Sequence, residues 1–330
     1  VHPVAANDEQ AQVEYFINSS IMGAQMNPDV AERSFVLYWK VAGRQMSEGG
    51  TFSVGNYNDQ WTSVYYDQIS NWLNAANTAI QLADKQTQAG LAKPHTQNLV
   101  QVSRIWRAYL MSEMSDNFGP IPVSAFTGTN PEFNDVKTVY YHILAELADA
   151  SQKLDLAVVN PSGLDKQDPA FGYDYAKWRK YANSLRMRLA MRLSEVDPAK
   201  AQSEFEAVMS TAGATNDFIT NMNESFQVQE KDGWSDLSGV MSRTWNAQPI
   251  SATINNLMIG LGGIKTADLL DAKFQSYIKP ANWLGQSYPE QFATKTNAPG
   301  AGYWFNGLPE IMDPRAYVLF SIPGDVENPN

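Results

Sequence analysis

The fold is decided by Trp61-Thr62-Ser63-Val64-Tyr65-Tyr66-Asp67-Gln68-Ile69-Ser70-Asn71-Trp72-Leu73-Asn74-Ala75-Ala76-Asn77-Thr78-Ala79-Ile80. Trp61, Tyr65, Ile69, Trp72, Leu73, Ala76 and Ile80 recur at steps of three and four, which places them on one face of an α-helix. Gly90 and Pro94 supply a stop, so the spacing predicts a helix over 60–89. Upstream, a helix is expected over 29–46 with Phe35, Tyr38 and Trp39. Another is expected over 8–26, capped by Asn7-Asp8, with Val13, Phe16, Ile17 and Ile21 on its stripe. The glycine-rich loop 49–57 separates the helix over 29–46 from the helix over 60–89.

Downstream the pattern repeats. A helix over 95–117 carries Leu99, Val102, Trp106, Tyr109 and Leu110, and Phe118-Gly119-Pro120-Ile121-Pro122 ends it as a rigid extended strap. Further helices are expected over 135–156 and 174–195. The second has a basic face of Lys177, Lys180, Arg188 and Arg192, whose partners are expected within the chain. Asp197-Pro198, a cap followed by proline at the first helical position, starts a last helix that ends near Gly213. The fold class is all-α: tetratricopeptide-like helix pairs over 1–212, with an irregular helical bundle as the alternative arrangement. After residue 213 glycine and proline become frequent and helical periodicity is short. Trp234, Trp245, Trp283 and Trp304 lie there, so 213–330 reads as an irregular, loop-rich, ligand-binding lobe.

Composition narrows the function. The 330 residues hold 24 Lys+Arg against 35 Asp+Glu, a net charge of −11, which disfavours nucleic acid as a partner. The absence of cysteine excludes disulfides, thiolate metal sites and a cysteine nucleophile. Only His2, His95 and His142 are available as imidazole ligands. Charged residues are 18% and aromatic ones 12%, with abundant amides. Such a surface suits uncharged polar ligands such as sugars, whose C–H faces stack on rings and whose hydroxyls bond amides. The other use of those rings is to fill a large helical core.

The motifs for other chemistries fail. Gly260-Leu261-Gly262-Gly263-Ile264-Lys265-Thr266 is not a phosphate loop, because Ile264 parts glycine from lysine and no strand precedes it. Glu113 and Asp116, with Asp313, are the candidate carboxylates of a helical carbohydrate-active enzyme, one alternative function. A peptide-binding helical-repeat scaffold is another. No cofactor is expected. A structural calcium ion at Asp165-Lys166-Gln167-Asp168 finds no matching ligand spacing, and a solvated turn is the expected state of these residues.

Three ordered segments resemble the SusD/RagB-like nutrient-binding outer-membrane lipoproteins. They are the helix from Arg107 through Asp116 into Phe118-Gly119-Pro120-Ile121-Pro122, the run Trp178 to Leu193 containing Ala182-Asn183-Ser184-Leu185, and Asp313-Pro314-Arg315. The resemblance implies a SusD-like α-α superhelix in one packed unit. It implies a non-enzymatic subunit that captures oligosaccharide or another nutrient for a SusC-like TonB-dependent transporter. It further implies export by a signal and a surface-exposed place on the cell outer membrane, held by an N-terminal lipid-bearing cysteine outside this sequence. More helix is expected after Asn330. The site residues it implies are Tyr57, Asn58, Trp61, Trp283, Tyr303, Trp304 and Phe305, with Gln60 and Asn306 as hydroxyl partners. Tyr303-Trp304-Phe305 lies among Gly300, Gly302 and Gly307, where no helical period calls for burial. The alternative is that Trp61 and Trp304 pin their loops to the core.

Overall fold

The computed structural model describes residues 11–25, 30–46, 59–125, 131–229 and 251. Among these every regular element is a helix, and Ile121 and Asn134 form an isolated antiparallel bridge. The chain divides into two compact units, one of residues 1–27 and 63–231, the other of 28–62 and 232–330.

The first unit contains α1 (Val13–Gly23), most of α2 (Asp59–Gln88), α3 (Thr96–Phe118), α4 (Val136–Lys153), α5 (Tyr175–Met191) and α6 (Pro198–Ala212). From α3 onward each helix packs on the next, and α1 lies on α3. Most of the expected stripe positions are core: Ile69, Leu73, Ala76, Leu99, Val102, Trp106, Ile143, Leu147, Trp178 and Leu189 are buried, as is Ile105, while Ile80 and Tyr109 are half-buried and Val136 is exposed. Each large apolar side chain withdrawn from water contributes about 1.5–3 kcal/mol. Ala76, Ala79 and Ala83 lose all exposure, and the Ser103 hydroxyl donates to the Ala76 carbonyl at 2.7 Å, stitching α3 to α2. Ser20 makes a second stitch. Its hydroxyl donates to the Trp72 carbonyl at 2.7 Å and accepts the Trp106 indole N–H at 2.9 Å.

The helix starts follow their caps. Asp135 accepts the Thr138 N–H, Asp174 accepts those of Ala176 and Lys177, and Asp197 accepts that of Lys200 ahead of Pro198. Several ends differ from expectation for local reasons. The helix expected to reach 156 stops at Lys153, because Asn98 takes over the Asp155 backbone, accepting its N–H and donating to its carbonyl, both at 2.8 Å. The helix expected to reach 195 stops at Met191. Turns over 192–196 then hand the chain to the Asp197 cap, with the Asp197 N–H on the Leu193 carbonyl at 2.7 Å. The first helix begins at Val13, after Gln12 in an extended conformation. The expected Asn7-Asp8 cap lies outside the described residues. The basic face of α5 pairs within the chain, as expected for Lys180 with Glu224 and for Arg192 with Asp116.

In the second unit, Ala31–Trp39 winds as a π-helix where an α-helix over 29–46 was expected, and Lys40–Ala42 continues it as α. Arg44 follows with φ of 55°, and Ser251 docks on this turn, its N–H on the Gln45 carbonyl at 3.2 Å and its hydroxyl on the Arg44 carbonyl.

Candidate functional site

Of the seven residues expected at the ligand site, Trp61 falls among the described residues. Tyr57, Asn58, Trp283, Tyr303, Trp304 and Phe305 lie outside them, as do Asn306 and Asp313. Trp61 stands in the first turn of α2, half-buried, beside the exposed Gln60. The Arg33 guanidinium carbon lies 5.9 Å from the centroid of the Trp61 ring, a cation–π contact. Sequence reading missed Arg33. It is far from Trp61 along the chain, and no periodicity links the two.

A second feature went unread. A cavity of about 300 Å³ lies between α2, α3 and the segments flanking the 120–122 strap, walled by Tyr66, Leu73, Met111, Met114, Ile121 and Phe133. The strap turns away from α3 at Gly119, with φ of 79°. The Gly119 N–H bonds the Ser115 carbonyl at 2.8 Å, and the Ser115 hydroxyl bonds the Gly119 carbonyl at 2.9 Å. Arg107 and Asn77 close one end, joined at 2.8 Å, and Arg107 is held by Glu146, also at 2.8 Å. The lining of the cavity is mostly apolar.

The carboxylates considered for catalysis sit in unlike surroundings. Burial, then the neighbouring Asp116, hold the Glu113 carboxyl above the usual carboxylate range, against the opposing charges of Arg188 and Arg192. Asp116 accepts the Tyr140 phenol at 2.5 Å and pairs with Arg192 at 3.0 Å, while Arg192 Nε donates to the same phenol at 2.9 Å. In this triangle one Asp116 oxygen meets the Tyr140 phenol and the other the Arg192 guanidinium, and the residue remains exposed at the surface.

At 165–168 the expectation of a solvated turn is corrected for Asp168, which is 3% exposed. Its Oδ1 accepts the N–H groups of Ala170 and Phe171 at 3.0 and 3.3 Å. Its Oδ2 accepts the Tyr173 N–H at 2.8 Å and the Trp178 indole N–H at 2.7 Å. Among the described residues no group of three or more His, Asp or Glu side chains is arranged to hold a metal ion.

Among the described residues the structure is an all-α array of packed helices. Comparison with known proteins fixes the family. The chain belongs to the SusD-like family described as starch-binding and associating with the outer membrane, whose pattern matches residues 9–273. A SusD homologue from Parabacteroides distasonis is 24% identical with a TM-score of 0.67, over 77% of this chain and 50% of that one. A SusD homologue from Bacteroides uniformis is 19% identical with a TM-score of 0.59, over 79% and 54%. A chitin-binding protein is 18% identical with a TM-score of 0.59, over 76% and 52%. At these identities the likeness is one of fold, and this chain spans about half the length of those structures. No curated protein matches the sequence. Among the described residues no helix is long and apolar enough to cross a membrane.

Proposed function

We propose that this chain belongs to a non-enzymatic nutrient-binding lipoprotein on the cell outer membrane. It captures oligosaccharides and delivers them to a SusC-like TonB-dependent transporter. The observation that carries this reading is the family match over 9–273, with its starch-binding and outer-membrane description. The fold shared with a chitin-binding protein supports a saccharide ligand. So does the low-charge, aromatic-rich composition. The helical region 1–212 acts as the scaffold and 213–330 as the ligand lobe. Tyr57, Asn58, Trp61, Trp283, Tyr303, Trp304 and Phe305 form the stacking and hydrogen-bonding surface, to which Arg33 adds donors.

The test incubates the protein with a panel of oligosaccharides and peptides and follows both retention and cleavage. Saccharide retention without turnover is expected. Turnover that disappears in Glu113→Gln or Asp313→Asn would replace this reading with a hydrolase, and retention of peptides alone would replace it with a peptide scaffold. Trp304→Ala and Trp61→Ala are expected to abolish saccharide binding at this loop surface while shifting the melting temperature by a few degrees at most. Core tryptophans would instead cost about 3–5 kcal/mol of stability. Co-purification of a SusC-like transporter tests the partner.

A further inference from the structure

A cleft of about 480 Å³ opens where the end of α3, the start of α4 and the turn after α5 meet. This lies within the range of small-molecule sites, roughly 300–1,000 Å³. Its floor is Leu193 and Tyr140, both buried. Val136 and Val196 stand in its lining at 43% and 79% exposure. An apolar side chain as open as Val196, beside a cleft with a built polar lining, adds little to the stability of the fold.

The polar lining is organised in two charge-balanced sets. In the first, Asp116, Tyr140 and Arg192 form the closed triangle described above. The Arg192 side chain is still 52% exposed and has further N–H groups beyond those bonds. In the second, Asp197 accepts the Tyr141 phenol at 2.5 Å and lies 3.6 Å from the Lys137 ammonium. The Lys137 ammonium lies 5.3 Å from the Tyr141 ring centroid. Lys200 approaches the same ring at 4.8 Å from outside the lining and is neutralised by Glu204. Within the lining two anions balance two cations, so the cleft attracts neither an anion nor a cation strongly. What it offers is paired donors and acceptors beside an apolar wall.

We infer that this cleft is a second saccharide site, which takes a neutral pyranose ring. The C–H face of the sugar lies on Val196, Leu193 and Val136, and vicinal hydroxyls meet Arg192 with Asp116 and Lys137 with Asp197. Charge-assisted hydrogen bonds from groups already held in place lose little entropy on binding, which favours a polyhydroxylated ligand over an apolar one. The inference rests on the saccharide reading above but uses none of the residues of the proposed loop site. A weak accessory site of this kind would hold one part of a long glycan while another part occupies the main site, raising its effective concentration there.

The experiment titrates maltotriose and chitotriose into the full chain by calorimetry and ligand-observed NMR. It compares wild type, Trp61→Ala/Trp304→Ala, Val196→Arg and Arg192→Gln. Val196→Arg fills the cleft from an exposed position, so its melting temperature should match wild type. Arg192→Gln removes the charge and the guanidinium donors while keeping a polar side chain, and serves if the first variant is perturbed. The expected result is a binding event that survives in Trp61→Ala/Trp304→Ala and weakens at least tenfold in Val196→Arg and Arg192→Gln. Unchanged binding of both sugars by the two cleft variants overturns the inference. Complete loss of binding in the double tryptophan variant overturns it while leaving the proposed function standing. Absence of binding to wild type overturns both.

Discussion

Asp168→Asn removes one charge and exchanges one oxygen for an amide at a position that is 3% exposed. The wild-type carboxylate accepts four N–H donors, from Ala170, Phe171, Tyr173 and the Trp178 indole. An asparagine can keep its oxygen toward only one of the two pairs, and its NH2 then faces two donors. Keeping the shorter pair strands the Ala170 and Phe171 N–H groups, of which the Phe171 bond, at 3.3 Å, is the weaker. Each hydrogen bond to a charged acceptor is worth about 1.5–3 kcal/mol net, and a buried donor left unpaired adds its desolvation cost. The expected loss is therefore about 3–4 kcal/mol, a large fraction of the roughly 5–15 kcal/mol that holds a domain together. The turn also carries Gly172 at φ of 62° and Tyr173 at φ of 54°, a conformation that costs free energy for a non-glycine residue. Tyr173 is held there by the Asp168 acceptor and by the Asn160 amide on its carbonyl at 3.0 Å. Urea unfolding followed by tryptophan fluorescence reads the loss as a lower midpoint at unchanged slope. A loss below about 1 kcal/mol would refute the acceptor role, since even one charge-assisted bond exceeds it. Millimolar calcium should leave the wild-type midpoint unmoved, because the Asp168 oxygens already accept N–H groups. A calcium-dependent rise would equally refute the argument.

Phe226 stacks on Trp106 with centroids 5.4 Å apart and planes 3° from parallel, and meets Phe171, Trp178 and Tyr181 at 5.2 to 6.0 Å. Phe226→Ala should cost about 2–3 kcal/mol, less than a fully buried ring because Phe226 is half-exposed; a midpoint within error of wild type would contradict this. The Lys180 ammonium, then the Thr220 N–H, hold the Glu224 carboxyl down at about 2. Its folded pKa lies below the ordinary glutamate value of about 4.3, so its contribution is whole above that value and fades as the pH falls toward about 2. Glu224→Gln should accordingly be less stable than wild type at pH 6, with the difference closing near pH 2; an equal difference at both would contradict the ion pair. Glu113 has the opposite sign, since burial and Asp116 raise its folded pKa, so its ionised form weighs against the fold at high pH and is relieved as the pH drops through that raised value. Glu113→Gln should be more stable than wild type at pH 8, with the advantage shrinking by pH 4, as read by melting temperature across that range.

What sequence alone made legible was determined by distance along the chain. An apolar stripe repeats within seven positions, and Asp135, Asp174 and Asp197 cap helices whose first N–H groups are two or three residues away. Those elements were readable. The Asn98–Asp155 exchange that ends α4 spans 57 positions, the Trp106–Ser20 bond 86 and the Asn18–Gln167 contact 149. Asp168 shows the same limit: its nearest partners are local, but its burial is set by packing around Trp178, so a polar sequence cluster read as solvated. Arg33 reaches Trp61 only because the chain folds back.

The residues that reveal the family are themselves mostly of this scaffold kind. In the helix that carries the Ala182-Asn183-Ser184-Leu185 segment, Asn183 donates to the Asp217 carbonyl at 2.8 Å, and Ser184 accepts the Ile219 N–H at 2.8 Å. Arg186 pairs with Glu204 at 2.5 Å, Arg192 with Asp116, and Trp178 donates to Asp168. Each bond joins α5 or the turn after it to a neighbouring segment, and the buried ones demand a particular side chain, because a buried polar group left unpaired costs more than the bond contributes. Residues under that constraint form a sequence pattern that identifies a family without any part of it touching a ligand. Ligand rings on loops face no such constraint from the fold. Their identity follows the ligand, so the same scaffold can present different surfaces, and membership in the family fixes how the helices are held more firmly than which ligand is held.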